Sequence, residues 1–470
     1  MNIYIKIKKI AACLSILGIL LPIPGHAAPF GNFGLEDEMK MGRQYEVLYK
    51  TYMPLLEDPE IKNYVQGIVN RIVATLPPQP YKFQANVILE SRLNAFAAPG
   101  GYVFVHSGML QHLEHESELA GVLAHEIAHV TQRHIARRIE RGQVISLASM
   151  AAAILGALAG GGGDASVGAI SAASAAGQTA HLTYSRGDES DADHFGMQYL
   201  VAAGYNPYGL SGAFNIIQEH SWQNLHPEYL SSHPDISNRL SAFSARIQSL
   251  PAQIRNRPQN DENFIRAQTL VWGRNGHLQH ALHIFAQKAQ NDPLRHLGFG
   301  LVYARQNKVL EAKAEFAKAL DLAPSDPLVL REAGIFHYNL GDINLARQQL
   351  EQMLRMNPAD YYARFFMARV QEDLGETTNA LNNYRTVIQH VPEDAEVHQY
   401  YGYALGQNQQ EFLGYLHLAY AALYANDKKR LELWANQAKL LAKTDREKAE
   451  WELFAERRAE RAAVLDKITK

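Results

Sequence analysis

A repeat of 34 residues in the second half of the chain constrains its fold more than any other sequence feature. Similar residues recur at this spacing at four positions: Pro324, Pro358 and Pro392; Gly300, Gly334, Ala368 and Gly402; Ala312, Ala346 and Ala380; and Phe316, Leu350 and Tyr384. A repeat of this length is typical of a helical hairpin that buries its apolar face only against neighbouring hairpins. Residues 262–470 are therefore predicted to form an α-solenoid with a concave groove.

The period is that of the tetratricopeptide repeat, and at least three regular units are evident. Degenerate units are expected around residues 281–285 and 413–441. Aromatic residues cluster in the regular units: Tyr361, Tyr362, Phe365, Phe366, Tyr400, Tyr401 and Tyr403. These residues fit both the core between helices and the groove, which is predicted to bind polypeptide. The charged segment 445–470 is expected to form a solvated capping helix.

The pentapeptide His125-Glu126-Ile127-Ala128-His129 lies in a stretch whose apolar residues recur every three or four positions. Residues four apart share one helix face, so His125 and His129 can bind one metal ion, while Glu126 reaches the position of a water molecule. Catalytic zinc takes three protein ligands plus water, often two His and one Glu. We therefore predict a site for one Zn²⁺ per chain, with Glu126 as the general base.

A second helix is predicted to supply the third ligand. It is expected to begin near Asp188, capped by Asp or Ser, and to end at about Ala203. Glu189 and Asp193 lie one turn apart on this helix and share a face. Glu189 is the predicted third ligand, and Asp193 is predicted to accept a hydrogen bond from a ligand histidine, which would fix its tautomer. His134 is expected to be a surface residue at the end of the first helix.

The stretch Tyr102, Val103, Phe104 and Val105 has strong strand propensity and follows a Pro-Gly-Gly turn at 99–101. An edge strand beside a zinc helix can pair with an extended substrate backbone and so align the scissile bond. A core strand would have the same composition. The sequence of this segment alone leaves both interpretations open.

Several motifs together resemble the gluzincin family that includes the CAAX prenyl protease and HtpX. They are HEIAH at 125–129, ESDAD at 189–193, NAFAAPGGYVFV at 94–105 and the later His233-Pro234, and the resemblance covers roughly residues 35–245. It implies a zincin-like metallopeptidase domain in which residues 102–105 are the substrate edge strand. It also implies that His233 is a fourth zinc ligand, which displaces water and holds the enzyme inactive.

Peptide hydrolysis also needs a group that stabilises the oxyanion of the tetrahedral intermediate. His233 and Arg239, in the segment SHPDISNR at 232–239, are the candidates for this role. Ser-His-Pro is also an ordinary helix start, with Pro234 at the first helical position. A purely structural role for His233 therefore stays open.

The N-terminus has the layout of a cleavable signal peptide. Three lysines precede an apolar run at 10–23 and a small-residue stretch at 25–28, and the run is too short to favour a stable membrane span. Cleavage near Ala28 would place the mature chain in the periplasm. It would also remove Cys13, the only cysteine, so the mature chain would contain no disulfide.

An insert at residues 144–180 is rich in Ala, Gly and Ser. Its apolar part at 147–159 is too short to span a membrane, and glycines follow it. A mobile flap or plug at the active site, a loop that makes peripheral contact with a membrane or partner, and a packed helical hairpin all fit this composition.

The composition of the chain limits the classes of protein to which it can belong. With 47% hydrophobic and 20% charged residues, the 470-residue chain is globular and long enough for two or three domains. Its net charge of −3 gives no sign of nucleic-acid binding and argues against electrostatic anchoring to DNA or anionic lipid. The predicted fold class is α+β, mostly helical, with a signal peptide at 1–28, a zinc metallopeptidase domain at 29–255 and a tetratricopeptide repeat domain at 262–470.

These features predict an exported zinc metalloendopeptidase. The resemblance, together with the leader and the repeats, implies outer-membrane proteins as substrates, the barrel-assembly machinery as partner, and a chaperone function in outer-membrane assembly and quality control. A second function class also fits the repeats. It is a chaperone or assembly scaffold in which proteolysis is rare or vestigial, and which binds its partners mainly through the groove.

Overall fold

The computed structural model describes residues 33–140, 184–220 and 229–469. The predicted signal peptide at 1–28 and the insert at 144–180 lie outside the described residues, so both remain predictions. Within the described ranges, every helix is too short or too polar to span a lipid bilayer.

The described residues before 260 contain one sheet and ten helices. The strands are β1 (Gln84–Ile88), β2 (Ala95–Ala98) and β3 (Tyr102–His106). The helices are α1 (Leu35–Tyr52), α2 (Pro59–Val73), α3 (Ser107–His112), α4 (Glu116–Thr131), α5 (His134–Glu140), α6 (Arg186–Ala202), α7 (Gly209–His220), α8 (Tyr229–Ser232), α9 (Ile236–Gln248) and α10 (Ala252–Arg255).

The sheet places β3 in its centre. β1 pairs with β3 in parallel, with Gln84 opposite Tyr102, and β2 pairs with β3 antiparallel, with Ala98 opposite Tyr102. The predicted substrate edge strand at 102–105 is therefore wrong, because β3 is hydrogen-bonded to a neighbour on each side and has no edge left to pair with a substrate. Within the described sheet, β2 is the edge strand that contacts α4.

Residues 262–469 form consecutive helical hairpins, so the predicted α-solenoid and the mostly helical α+β fold class are confirmed. The helices are α11 (Glu262–Asn275), α12 (Leu278–Gln287), α13 (Pro293–Arg305), α14 (Val309–Leu322), α15 (Pro327–Asn339), α16 (Ile343–Met356), α17 (Tyr361–Asp373), α18 (Thr377–His390), α19 (Ala395–Gln407), α20 (Glu411–Tyr424), α21 (Lys428–Leu441) and α22 (Asp445–Thr469).

The small residues of the repeat lie where paired helices touch. A Cβ atom added at Gly300 would lie 3.0 Å from the ring of Phe316, and one added at Gly334 would lie 2.9 Å from Leu350. Each glycine on the first helix of a pair therefore makes room for the large residue of the second helix, and the two repeat positions are physically linked.

The aromatic residues of the repeats divide between core and surface. Phe365, Phe366 and Tyr401 are buried between helices, whereas 44% of Tyr403 is exposed. The core interpretation is therefore confirmed for the three buried residues, whereas a groove position for Tyr403 stays a prediction.

The repeats continue the core of the N-terminal part. One cluster of buried apolar side chains runs from α2 through α11 and α13 to Phe336 in α15. Ion pairs cross the same junction: Nη1 of Arg331 lies 2.6 Å from Oε2 of Glu60, and Arg274 contacts Asp58. The predicted domain boundary at 255–262 is thus spanned by a shared core and buried charge pairs.

The C-terminal helix α22 returns to the N-terminal helix α1. Arg461 of α22 donates a hydrogen bond of 2.8 Å to the hydroxyl of Thr51 in α1, and Phe454 is completely buried. This helix caps the repeats as expected, but it is not solvated on all sides, because its inner face closes the array against α1.

Candidate metal centre

The HEIAH motif lies on helix α4, in the protein interior. The first turn of this helix is capped by Glu118, whose carboxylate accepts hydrogen bonds from the backbone N–H groups of Glu114 (2.7 Å) and His115 (3.1 Å). Its apolar stripe is buried along the whole helix: Leu119, Leu123, Ile127 and Val130. Packing of this stripe into the core fixes the rotation of the helix, so both motif histidines face the same side.

Helix α6 brings the second half of the site alongside α4. It begins two residues before the expected start, because the hydroxyl of Ser185 caps it by accepting a hydrogen bond of 3.1 Å from a backbone N–H three residues later. Glu189 and Asp193 then face α4. Gly196 allows the two helices to come this close, since a Cβ atom there would lie 3.0 Å from Cα of His125.

Four side chains converge between these helices: His125, His129, Glu189 and His233. One potential ligand atom of each lies within 4.8 Å of the others. The Nε2 atoms of His125 and His129 are 3.0 Å apart, and Nδ1 of His233 lies 2.9 Å from Oε1 of Glu189. All four side chains are buried, so the three predicted ligands and the predicted fourth ligand share one site.

This set of donors fits zinc. Bonds of about 2.0 Å in a tetrahedral site place neighbouring ligand atoms roughly 3.3 Å apart. Two of the separations found here are 2.9 Å, between His233 and Glu189, and 3.5 Å, between His129 and Glu189, and no pair of the four ligand atoms is more than 4.8 Å apart. Both carboxylate oxygens of Glu126 and Nε2 of His233 are buried without a hydrogen-bond partner among the described residues. The polar atoms of the site are thus arranged around a group that the chain itself does not supply.

His233 is held by ring stacking and by its backbone. Its ring stacks on Tyr229 with 4.2 Å between centroids and 20° between planes, and its N–H donates a hydrogen bond of 2.9 Å to the Tyr229 carbonyl. Nε2 of His233 lies 3.5 Å from Oε1 of Glu126. Helix α9 begins two residues after Pro234 with Asp235 as its N-cap, so the interpretation of Ser-His-Pro as the start of that helix is wrong.

Burial and charge set the protonation states of the site. Burial raises the pKa of Glu126. Burial also acts on Glu189, but the surrounding histidines outweigh it and hold its pKa well below the usual range. Burial lowers the pKa of His129, whereas hydrogen bonds with Asp193 and Glu189 overcome burial and raise the pKa of His125 to about 9. Glu189 is therefore a carboxylate at neutral pH, and Glu126 has a raised proton affinity.

Asp193 and Arg239 support the ligands from behind. Oδ1 of Asp193 lies 3.1 Å from Nδ1 of His125, the pair of atoms that the predicted tautomer-fixing contact would join. Arg239 donates two hydrogen bonds of 2.7 and 2.8 Å to Asp193 and contacts Glu189, and its guanidinium lies over the ring of Phe214. The guanidinium of Arg239 is thus already paired with two carboxylates, whereas a group that stabilises an oxyanion has a donor available for it.

His134 is not the surface residue that its place at a helix end suggested. It is completely buried, and its Nδ1 lies 2.8 Å from Nδ1 of His129. Helix α4 ends before Arg133, whose left-handed backbone (φ 52°) turns the chain so that His134 returns beneath His129. The sequence also gave no sign of Tyr184, whose ring stacks on His129 at 3.7 Å. Neither residue belongs to a motif or a helical spacing, so no periodic signal marks them.

Two sequence families cover most of the described chain. Residues 56–247 match the profile of a family described as "Peptidase family M48". Residues 297–361 and 332–395 match the profile of the tetratricopeptide repeat, which confirms the repeat type predicted from the period.

Similar proteins match parts of the chain. The beta-barrel assembly-enhancing protease of Yersinia pestis is 33% identical over 225 residues, which are 47% of this chain and 46% of that protein. The protein of the same name from Escherichia coli K12 is 27% identical over 364 residues, or 75% and 74% of the two chains. The mitochondrial metalloendopeptidase OMA1 of Schizosaccharomyces pombe is 31% identical over 193 residues, or 38% and 51%. The chain thus spans about half the length of two of these relatives.

Proposed function

We propose that this chain is a zinc-dependent endopeptidase. The premise is that residues 56–247 form a metallopeptidase domain of family M48, which is followed in the sequence by tetratricopeptide repeats. The observation that carries the proposal is the convergence of His125, His129 and Glu189 beside the buried carboxylate of Glu126. Two imidazoles and one carboxylate are a ligand set of catalytic zinc in peptidases. Zinc bound there would supply Lewis acidity, which polarises the scissile carbonyl and makes water more acidic.

Glu126 is the proposed general base. It follows His125 on α4, so its carboxylate lies beside the ligands without being one of them. Burial raises its pKa, which brings its proton affinity closer to that needed to accept a proton from the attacking water and return it to the leaving amine. Replacing its carboxylate by an amide would keep the shape of the side chain and remove this proton transfer.

His233 and Arg239 have separate proposed roles. His233 can complete a four-ligand set that leaves no place for water, since its Nδ1 faces Glu189 and His125 at 2.9 and 3.4 Å. In a state where it leaves that position, its ring is the proposed group for stabilising an oxyanion, since its Nε2 starts 3.5 Å from Oε1 of Glu126. Arg239 orients Glu189 and Asp193 through the contacts described above. We expect His233→Ala to change the rate of proteolysis while zinc content stays near one per chain.

The proposed substrate contact is the outer edge of β2, which a substrate could reach only in a state that uncovers Ala95 and Ala97, since both are buried in the structure. The N–H of His106 bonds to the carbonyl of Asn94, and hydrogen-bonded pairs alternate along an antiparallel ladder. The backbone groups of Ala95 and Ala97 therefore point away from β3. A polypeptide paired there as an added strand would be read through its backbone more than through its side chains.

The proposed substrates are outer-membrane proteins, and the proposed place of action is the periplasm, with the barrel-assembly machinery as partner. This part rests on the names of the Yersinia and Escherichia relatives and on the signal-peptide layout of residues 1–28. The concave groove of the repeats is the proposed binding surface for these polypeptides, in keeping with a chaperone role.

One observation favours the alternative of a chaperone or scaffold that rarely cleaves. All four potential ligands and Glu126 are buried, and His233, if it binds as the fourth ligand, would take the position that water needs. A site closed in this way binds metal without turning over substrate. The two functions differ in whether cells need the proton transfer by Glu126.

The test combines metal analysis, digestion of an unfolded protein such as casein, and rescue of an envelope defect. Wild type and Glu126→Gln should both contain one zinc per chain, and only wild type should digest casein or rescue the defect. Rescue by Glu126→Gln as full as by wild type would support the scaffold function. Equal digestion by both proteins would exclude Glu126 as the base.

A further inference from the structure

The Nδ1 atoms of the two motif histidines face different groups. Nδ1 of His125 faces the carboxylate of Asp193 at 3.1 Å, whereas Nδ1 of His129 faces Nδ1 of His134 at 2.8 Å. His125, His129 and His134 are all buried. A histidine that binds a metal commonly uses its second ring nitrogen for a hydrogen bond that fixes its tautomer.

The direction of the hydrogen bond between His129 and His134 follows from the cluster. Nε2 of His129 faces Nε2 of His125 and Oε1 of Glu189, at 3.0 and 3.5 Å. Nε2 must keep its lone pair to serve as a ligand, so a neutral His129 carries its proton on Nδ1. Nδ1 of His129 then donates, and Nδ1 of His134 accepts. A neutral His134 would then carry its proton on Nε2, which has no hydrogen-bond partner among the described residues and lies 3.9 Å from Oδ1 of Asp188.

The backbone conformation of Arg133 brings His134 into contact with His129. Arg133 has φ 52°, in the left-handed region that side chains other than glycine rarely adopt. Its side chain is fixed by Glu38, whose Oε2 accepts a hydrogen bond of 3.0 Å, and by the carbonyl of Phe33 at 3.0 Å. A strained residue kept in place by surrounding contacts is typical of functional sites, and here the left-handed conformation of Arg133 turns the chain so that His134 lies under His129.

We propose that His134 is a positioning residue of the metal site, which accepts the Nδ1–H of His129 and so directs the Nε2 lone pair of His129 to the zinc ion. The inference rests on the proposed function, because it assigns a role toward the same ion. Loss of such an outer partner commonly weakens metal binding by 10- to 100-fold.

The test measures zinc affinity by competition with a chelator, independently of proteolysis. His134→Phe keeps a ring but removes the acceptor, and we expect zinc affinity to fall about 10- to 100-fold. His134→Asn returns an acceptor near the position of Nδ1, and we expect affinity within about threefold of wild type. Equal affinity of His134→Phe and wild type overturns the inference, as does an equal loss in both variants, which would assign the effect to packing.

The repeats offer a matched control. His398 and His417 form another close imidazole pair, with 2.9 Å between their Nδ1 atoms, remote from the metal site in sequence and located in the repeats. His398→Phe should leave zinc affinity unchanged. A loss equal to that of His134→Phe would mean that general destabilisation weakens the site, and would overturn the inference. Wild type without zinc would instead refute the proposed function itself.

A measurement on the wild-type chain removes the dependence on variants that fold. In zinc-loaded protein with ¹⁵N-labelled histidine, NMR should find His129 protonated on Nδ1 and His134 protonated on Nε2. The reverse tautomer of His134 would overturn the inference, because two N–H groups cannot face each other across 2.8 Å.

Discussion

Acidification should destabilise the repeats through His398. This side chain is only 3% exposed; its Nε2–H donates to the Pro392 carbonyl at 3.0 Å, and its Nδ1 accepts from Nδ1 of His417 at 2.9 Å. Both ring nitrogens are therefore committed in the neutral form. A second proton on His398 would set two donors against each other in a buried place.

The magnitude follows from the pKa of His398. Burial lowers this pKa to about 4, below the ordinary value of about 6.5 that applies to the unfolded chain. Between pH 6.5 and 4 the unfolded chain therefore binds a proton on His398 that the folded chain does not bind. The stabilisation is complete above pH 6.5 and is lost as pH falls toward 4. The free energy of unfolding should drop by about 2 kcal/mol at pH 5 and by about 3 kcal/mol below pH 4.

The assay is urea denaturation of wild type and His398→Phe at pH 7.5 and 5.0, followed by far-ultraviolet circular dichroism. The variant starts from lower stability, but its loss between the two pH values should be about 2 kcal/mol smaller than that of wild type. Titrating groups that do not contact His398 are shared by both proteins and cancel in the comparison. Burial also lowers the pKa of His417, to about 3, and the variant removes only the smaller contribution of His398 to that lowering. An identical pH dependence in the two proteins would refute the assignment of this loss to His398.

Three further changes test the metal site and its support. Asp193→Ala removes the partner of His125 and should weaken zinc binding about 10- to 100-fold in a chelator competition; unchanged affinity would rule out the proposed role of Asp193. Ser185→Ala removes the cap of α6 and should lower the free energy of unfolding by about 1 kcal/mol, whereas unaltered urea denaturation would show that the cap contributes little. Gly196→Val should push α6 from α4 and reduce zinc occupancy, and full occupancy by elemental analysis would show that the helices tolerate the added side chain.

Features set by local spacing could be read from the sequence. The 34-residue period fixes the repeats, since Gly334 and Leu350 are placed by direct contact between paired helices. The i, i+4 spacing of His125 and His129 places both rings on one face of α4, and Glu189 and Asp193 follow the same rule on α6. The sequence does not encode the distance between the two helices in a local pattern, and the family resemblance supplied that link.

The errors arise where tertiary contacts override local signals. The composition of 102–105 is that of a strand, but only its pairing with β1 and β2 decides that it is central. His134 lies at a helix end, which usually means exposure, yet a single left-handed residue returns it to the interior. Arg239 was one of two oxyanion candidates because it is cationic, and its contacts with two carboxylates from another helix could not be predicted from its own segment.

The most direct test of the central claim is zinc content, measured by elemental analysis of purified wild type and Glu189→Ala after identical dialysis against a weak chelator. Wild type should retain one zinc ion per chain, and Glu189→Ala should retain far less. Wild type without zinc, or a variant that retains as much as wild type, would contradict the assignment of His125, His129 and Glu189 as the ligands of a catalytic ion.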